Sequence, residues 1–93
     1  MPTAKSQFET AKASQYLQQL CKHFAHKTEA VYDEHKGHVT FGMGVARMAA
    51  DETALSFEAE AASAEALDRV KRIIENHIVR FAFRENLEKL TWA

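Results

Sequence analysis

The hydrophobic period of the chain changes twice, and this change constrains the fold more than any other feature. Apolar residues recur about every 3.6 positions in a helix and about every 2 positions in a strand. Residues 12–27 follow the helical period, residues 30–61 follow the strand period, and residues 63–83 return to the helical period. The sequence therefore predicts two amphipathic helices on either side of a block of strands.

The central block, residues 30–61, is interpreted as a meander of antiparallel strands joined by tight turns. We expect strands at residues 31–35, 38–41, 45–50 and 54–61, with turns at Lys36-Gly37, residues 42–44 and residues 51–53. In the first turn Gly37 would supply a positive φ that Lys36 resists. In the last strand Leu55, Phe57 and Ala59 should face inward, because they alternate with polar residues.

A short opening strand at residues 6–10 and a closing strand at residues 87–92 complete the predicted order β-α-β-β-β-β-α-β. Ser63 is expected to cap the second helix at its N-terminus. Each helix has one apolar stripe and the sheet has one apolar face, so both helices should pack on the same side of the sheet. The predicted fold is an α+β two-layer sandwich whose other sheet face is open to solvent, a ligand or a second subunit.

The size and charge of the chain limit its organisation and its partners. The 93 residues should form one domain, residues 1–93, because two would each be too short to bury a core. The net charge of −1, from 12 basic and 13 acidic side chains spread along the chain, argues against nucleic acid as a partner. An apolar run of about 20 residues, which a bilayer span needs, is missing, and residues 1–5 do not begin a signal peptide.

The cysteine content fits a reducing compartment. Cys21 is the single cysteine, so an internal disulfide and a four-cysteine zinc site are both excluded. Cytoplasmic localisation is therefore expected, and Cys21, on the core side of its helix, is predicted to be a small buried hydrophobe.

His77 is the polar residue that most needs an explanation, because it falls inside the apolar stripe of the second helix. At about 100° per residue, the following side chains cover that face: Leu67, Val70, Ile74, Ile78 and Phe81. The simpler interpretation is a neutral core histidine whose ring bonds to a backbone carbonyl or a side chain. The functional interpretation is that His77 lines a pocket between helix and sheet.

Two arginines near His77 extend the functional interpretation. Arg84 follows two helical turns later on nearly the same side, where it could bind a carboxylate or a phosphate, and Arg80 borders that arc. The ligand-binding candidates are therefore His77, Arg80 and Arg84. Alternatively, the two arginines form surface ion pairs, with Glu85 or Asp33, and cover the apolar helix end with their aliphatic stems.

Four other histidines are weak metal-ligand candidates, and we predict no metal. His23 and His26 are one helical turn apart, but neighbouring lysines would repel a cation, so a solvated basic helix end is the simpler interpretation. His35 and His38 would face each other across a two-residue hairpin turn. If Gly37 instead forms a bulge, Glu34 replaces His35 opposite His38.

The sequence offers no complete catalytic set. A phosphate-binding glycine loop, a nucleophilic serine elbow and carboxylates paired on one face are all missing. We therefore predict no catalytic residue and no cofactor, and we favour a protein that is not an enzyme.

Several segments resemble a known bacterial family. They are residues 16–24 (YLQQLCKHF), the pair His26-Lys27, the pair Phe41-Gly42 and residues 77–87 (HIVRFAFRENL). Together they resemble the family catalogued as domain of unknown function 2218, and the similarity extends over almost the whole chain. That family has no established activity. Its members are reported beside, or joined to, siderophore-interacting flavin reductases, so the resemblance implies an accessory role in iron acquisition and such a reductase as a partner.

Three hypotheses remain. The leading one is a non-enzymatic accessory or ligand-binding domain, expected as a homodimer, that binds a small organic anion or a siderophore-related ligand through the His77 group. The second is a metal-dependent protein that uses the histidines of the first helix or the hairpin. The third is a structural domain whose open sheet face or edge strand binds another chain.

Overall fold

The structure is a computed structural model, and it describes residues 2–82, 85 and 89–93. Its elements are β1 (Thr3–Glu9), α1 (Ala13–Ala25), β2 (Glu29–Tyr32), β3 (Lys36–Phe41), β4 (Gly44–Ala50), β5 (Ala54–Ala61) and α2 (Ala64–Phe81). The predicted α+β class and the predicted order from the first strand to the second helix are confirmed. The bounds of β5 match the prediction, and β1 begins earlier than predicted.

The sheet has five antiparallel strands in the order β1-β5-β4-β3-β2. Strands β2 to β5 form the predicted meander, and β1 pairs with β5 at the edge, with Ser6 opposite Phe57 and Phe8 opposite Leu55. The inward positions predicted on β5 are confirmed, because Leu55, Phe57 and Ala59 are all buried. The strand alternation therefore defines one buried and one open face of the sheet.

Both helices pack on the buried face of the sheet, as predicted. The stripe of α1 buries Leu17, Leu20, Cys21 and Phe24, and the stripe of α2 buries Leu67, Val70, Ile74 and Ile78. Ser63 caps α2 as expected, since its hydroxyl accepts a hydrogen bond of 3.1 Å from the Ala66 amide. Burial of these two stripes against one sheet face supplies the main stabilisation of the fold.

The predicted turn at Lys36-Gly37 is wrong. Lys36 and Gly37 belong to β3, where Gly37 pairs with Tyr32, and the chain turns through Glu34 and His35 instead. The Asp33 carboxylate accepts hydrogen bonds from the backbone amides of His35 and Lys36, at 2.7 and 2.8 Å. These two bonds stabilise the turn. Glycine occupies position 37 for a different reason. A Cβ atom there would lie 2.6 Å from the Cys21 Sγ atom of α1.

The predicted closing strand at residues 87–92 is not a strand over its described part, residues 89–92. The other two positions, 87 and 88, lie outside the described residues. Two residues of β1 bond to the closing segment: Lys5 exchanges backbone hydrogen bonds of 2.9 and 2.8 Å with Ala93, and the Ser6 hydroxyl donates to the Thr91 carbonyl oxygen at 2.8 Å. The segment is also held by α2, because the Glu75 carboxylate accepts hydrogen bonds from the Leu90 amide at 3.1 Å and from the Trp92 indole N–H at 3.3 Å.

Candidate functional site

A cleft opens where α1 and α2 meet the turn between β3 and β4. It has a volume of about 390 Å³, and the side chains that matter most for its chemistry are His23, Phe24, Lys27, Phe41, Met43 and His77. We call this feature the interhelical cleft. Its lining comes from three separate parts of the chain, so it exists only in the folded protein.

Two imidazole rings form one wall of the interhelical cleft. The ring centroids of His23 on α1 and His77 on α2 lie 4.8 Å apart. Phe24 packs against His77 at 4.9 Å, and Phe81 meets His23 edge-on at 5.9 Å. Aromatic rings prefer such tilted and edge-to-face arrangements at centroid distances of about 4.5–7 Å. The two helices are therefore joined by an aromatic cluster that contains both histidines.

The hydrogen bond of His77 determines how its ring can act. Its Nδ1 atom lies 2.6 Å from the Ile73 carbonyl oxygen. A carbonyl oxygen only accepts, so Nδ1 carries the proton and Nε2 of the neutral ring is left as an acceptor. His77 thus has the backbone partner that the core interpretation expects, and it also lines a cavity, as the functional interpretation expects.

Basic groups dominate the electrostatics of the cleft. Burial lowers the pKa of His23 below its ordinary value, and electrostatic interaction with His77, Lys27, His26 and Arg80 lowers it further. Among the described residues that line the cleft, none carries a carboxylate. The cleft is therefore a basic environment in which His23 is kept neutral.

The structure brings together only part of the predicted site. His77 lines the interhelical cleft. Arg80 is exposed on α2 and is not among the lining residues, but its positive charge contributes to the lowered pKa of His23. Arg84 lies outside the described residues. Sequence reasoning missed His23 as the neighbour of His77 and interpreted it as part of a solvated helix end. Its spacing of three residues from buried Leu20 was a signal that it borders the apolar stripe.

The weak metal candidates are not brought together. His26 is exposed, whereas His23 is half-buried against His77. Neither hairpin alternative is correct, because His38 on β3 pairs with Val31, and His35 lies in the turn. Within residues 2–82, 85 and 89–93, no group of three or more His, Cys, Asp and Glu side chains is placed to hold a metal ion.

Cys21 is a structural residue. Its side chain is fully buried against Gly37, and burial raises the pKa of its thiol to about 11. A thiol with such a pKa carries almost no thiolate near neutral pH, so Cys21 is an unreactive part of the core.

A second, broader concavity of about 820 Å³ lies on the open face of the sheet. Two of its basic side chains are paired with carboxylates: Lys5 lies 3.7 Å from Glu58, and Arg47 lies 3.1 Å from Glu58 and 3.2 Å from Glu60, which lies beside the concavity. The lining also contains the carboxylates of Asp33 and Glu58, which disfavour an anionic ligand. The interhelical cleft, which has basic groups and no carboxylate among its described lining residues, is therefore the better candidate site.

Comparison with protein families confirms the resemblance noted above. Residues 5–93 match the family described as "Uncharacterized protein conserved in bacteria (DUF2218)". The chain belongs to this family. Membership of DUF2218 shows the kind of domain and carries no statement about its activity.

A solved structure supports the fold of this DUF2218 domain. The chain is similar to the NMR structure of PA4090 from Pseudomonas aeruginosa, with a TM-score of 0.84 and 26% sequence identity. The alignment covers 100% of this chain and 96% of PA4090. The comparison with curated proteins found no match.

Over the described parts of the chain, neither helix is both long and apolar enough to cross a membrane.

Proposed function

We propose that this domain is a non-enzymatic binding protein that holds a small organic anion in the interhelical cleft. One observation carries the proposal: a cavity of about 390 Å³ combines aromatic walls and the Lys27 ammonium group with no carboxylate among its described lining residues. Small-molecule sites have volumes of about 300–1,000 Å³, with mostly apolar walls and a few polar groups that orient the ligand.

Different lining residues would contact different parts of the ligand. Phe24, Phe41 and Met43 offer apolar surface for the body of the ligand. Lys27 offers donors and a positive charge for its anionic group, and Arg80 adds a longer-range positive potential. The ligand charge would be only partly screened in such a half-enclosed site.

The same lining argues for binding rather than catalysis. It contains no Cys, Ser, Asp or Glu among the described residues, and the hydroxyl group of Thr28 already donates to the Thr40 carbonyl oxygen. Neutral His23 and the Nε2 atom of His77 could accept a proton, but a base alone does not make a catalytic set.

An accessory role in iron acquisition is the more specific form of this proposal, and the family resemblance is what suggests it. In that form the ligand is a siderophore or a fragment of one, and a siderophore-interacting reductase is the partner. The buried free thiol of Cys21 is compatible with the reducing cytoplasm, where we propose that the protein acts.

Titration calorimetry and thermal shift measurements with benzoate, other small carboxylates and ferric siderophores test the proposal. We expect at least one organic anion to bind and to raise the melting temperature, because it binds only the folded state. His77→Ala and Lys27→Gln should weaken this binding. Lys22→Gln, which removes an exposed charge on α1 outside the cleft, is the matched control and should bind normally.

Two results would contradict the proposal. One is that no anion binds the wild-type protein at millimolar concentration. The other is that Lys22→Gln weakens binding as much as Lys27→Gln does, which would mean that the anions respond to net charge rather than to the cleft.

As a second candidate function, we propose self-association through the edge strand β2. Val31 and Tyr32 on this strand are the exposed large hydrophobic residues of the described chain, with 67% and 39% of their surface accessible. The other edge of the sheet is partly covered, because Ala93 bonds to Lys5 of β1. An open edge with apolar side chains is a template for pairing with a second copy.

Sedimentation equilibrium tests this candidate. We expect a dimer that Val31→Lys dissociates, whereas Thr3→Lys at the opposite edge leaves it intact. A wild-type protein that remains monomeric up to millimolar concentration would exclude it.

A further inference from the structure

The walls of the interhelical cleft favour a flat ligand. Phe24 and Phe41 stand nearly perpendicular, at 84° with centroids 5.4 Å apart, and the His77 ring is inclined by 60° to Phe24. The aromatic rings that line the cleft therefore lie at steep angles to one another. The face of an aromatic ring is electron-rich and its edge is electron-poor. A planar aromatic ligand can therefore form offset or edge-on contacts with several of these rings, whereas an aliphatic ligand of similar size cannot.

The Nε2 atom of His77 adds a requirement for a hydrogen-bond donor. Because Nδ1 donates to the Ile73 carbonyl oxygen, Nε2 is an acceptor, and no described residue donates a hydrogen bond to it. In the described part of the chain, every buried side-chain nitrogen and oxygen has a partner. Nε2 is therefore not a fully buried atom, and its ring belongs to a residue that lines the interhelical cleft.

The charge of the cleft limits the ligand to an acid of modest size. Lys27 is the permanent cation of the lining, and neutral His23 adds no second charge at neutral pH. One ammonium group balances one carboxylate. A volume of about 390 Å³ suits a single substituted ring.

Building on the proposed function, we infer that the ligand is an aromatic hydroxy acid: a benzene-type ring with one carboxylate directed to Lys27 and a hydroxyl group that donates to Nε2 of His77. The ring would pack between the imidazole wall and Phe41. His77 would then make the cleft selective for ligands that carry a hydroxyl group.

Titration calorimetry with three probes tests the inference. Cyclohexanecarboxylate lacks the aromatic ring, benzoate has the ring without the hydroxyl, and the isomeric hydroxybenzoates have both. We expect benzoate to bind about tenfold more tightly than cyclohexanecarboxylate, and at least one hydroxybenzoate to bind about tenfold more tightly than benzoate.

The variant His77→Phe separates the hydroxyl contact from ring packing, because it keeps an aromatic ring and removes the acceptor. The ratio of hydroxybenzoate affinity to benzoate affinity should fall to about one in this variant. His26→Phe, a change at an exposed position outside the cleft lining, should keep the wild-type ratio. Circular dichroism confirms that each variant is folded before its affinities are compared.

The possible failures are distinguishable. Equal affinity for cyclohexanecarboxylate and benzoate would overturn the aromatic assignment and leave the anion site standing. A hydroxybenzoate preference that survives in His77→Phe, or that is missing in the wild type, would overturn the role of His77. Failure of every carboxylate to bind would overturn both this inference and the proposed function.

Discussion

The imidazole rings of His23 and His77 lie 4.8 Å apart, although the whole strand meander separates them in the sequence. They meet because α1 and α2 pack side by side on one sheet face, which brings the last turns of both helices together. Lys27 and Arg80 add positive charge to the same region. The two rings pack together across the helices, and protonation of His23 would place a further positive charge in this basic region.

Stability should decrease as the pH falls below about 6.5, and His23 should account for part of the decrease. Burial and nearby cations lower the pKa of His23 in the folded state from its ordinary value of 6.5. The unfolded state therefore binds more protons in this window, and stability is lost as the pH falls from about 6.5 through the folded pKa. Urea denaturation of wild type and His23→Asn from pH 8 to 5 measures this effect.

His26→Asn is the control for this prediction, since His26 is exposed on the same helix end. Asp33 and Asp51 also have pKa values below their ordinary value of 3.8, because their carboxylates accept hydrogen bonds from backbone amides. Their titration therefore lies below the pH range of this measurement. An unchanged pH dependence in His23→Asn would show that folding does not lower the pKa of His23.

Gly37→Ala should destabilise the protein by about 1–3 kcal/mol. The added Cβ atom would lie 2.6 Å from the Cys21 Sγ atom, so α1 would have to move away from β3. Gly42→Ala is the matched control, because nothing lies within 4 Å of a Cβ atom at that position. Chemical denaturation gives both free energies of unfolding.

The cause of the Gly37→Ala effect can be isolated with a double-mutant cycle. Cys21→Ala removes the clashing sulfur atom, so the alanine at position 37 should cost less in that background than in the wild type. Equal costs in both backgrounds would show that the contact with Cys21 is not the reason for the glycine.

Tyr16 should not ionise until the pH approaches 12. Burial, followed by its hydrogen bond to the Glu85 carboxylate and the charge of that group, raises the pKa of its hydroxyl group to about 12. Ultraviolet titration in a Tyr32→Phe background reports on Tyr16 alone. Glu85→Gln should lower this pKa only in part, because burial is the largest cause. Ionisation near pH 10 without unfolding would contradict the buried geometry.

Glu75→Ala should weaken the attachment of the C-terminal segment to α2 while its hydrogen bonds to β1 remain. The Glu75 carboxylate accepts the Leu90 amide and the Trp92 indole N–H, so without it the single tryptophan should become more accessible to water. We expect a red-shifted emission, stronger acrylamide quenching and a loss of about 1–2 kcal/mol of stability. Glu75→Gln keeps an acceptor oxygen and should restore most of the wild-type emission. Asn76→Ala, an exposed neighbour, should have no effect.

Features that depend on a residue's own neighbours in the chain were predictable. The alternation on β5, the cap at Ser63 and the position of His77 inside an apolar stripe all follow from local patterns. These patterns indicate which side of an element is buried and which nearby side chain accepts a hydrogen bond from an unpaired backbone amide. They are sufficient for the class of fold and for one member of the candidate site.

The remaining features depend on contacts between elements that are distant in the sequence. The sequence predicts that Gly37 is a turn residue. In the folded protein it lies in β3 under α1, where a Cβ atom would have no room. The sequence predicts that His23 is solvated. In the folded protein its ring packs against His77 of α2. The closing segment alternates like a strand, but over its described residues it is held by Glu75 of α2 and by single contacts with β1 rather than by a sheet ladder. Periodicity specifies which face of an element is buried, whereas packing decides which residue of another element that face meets.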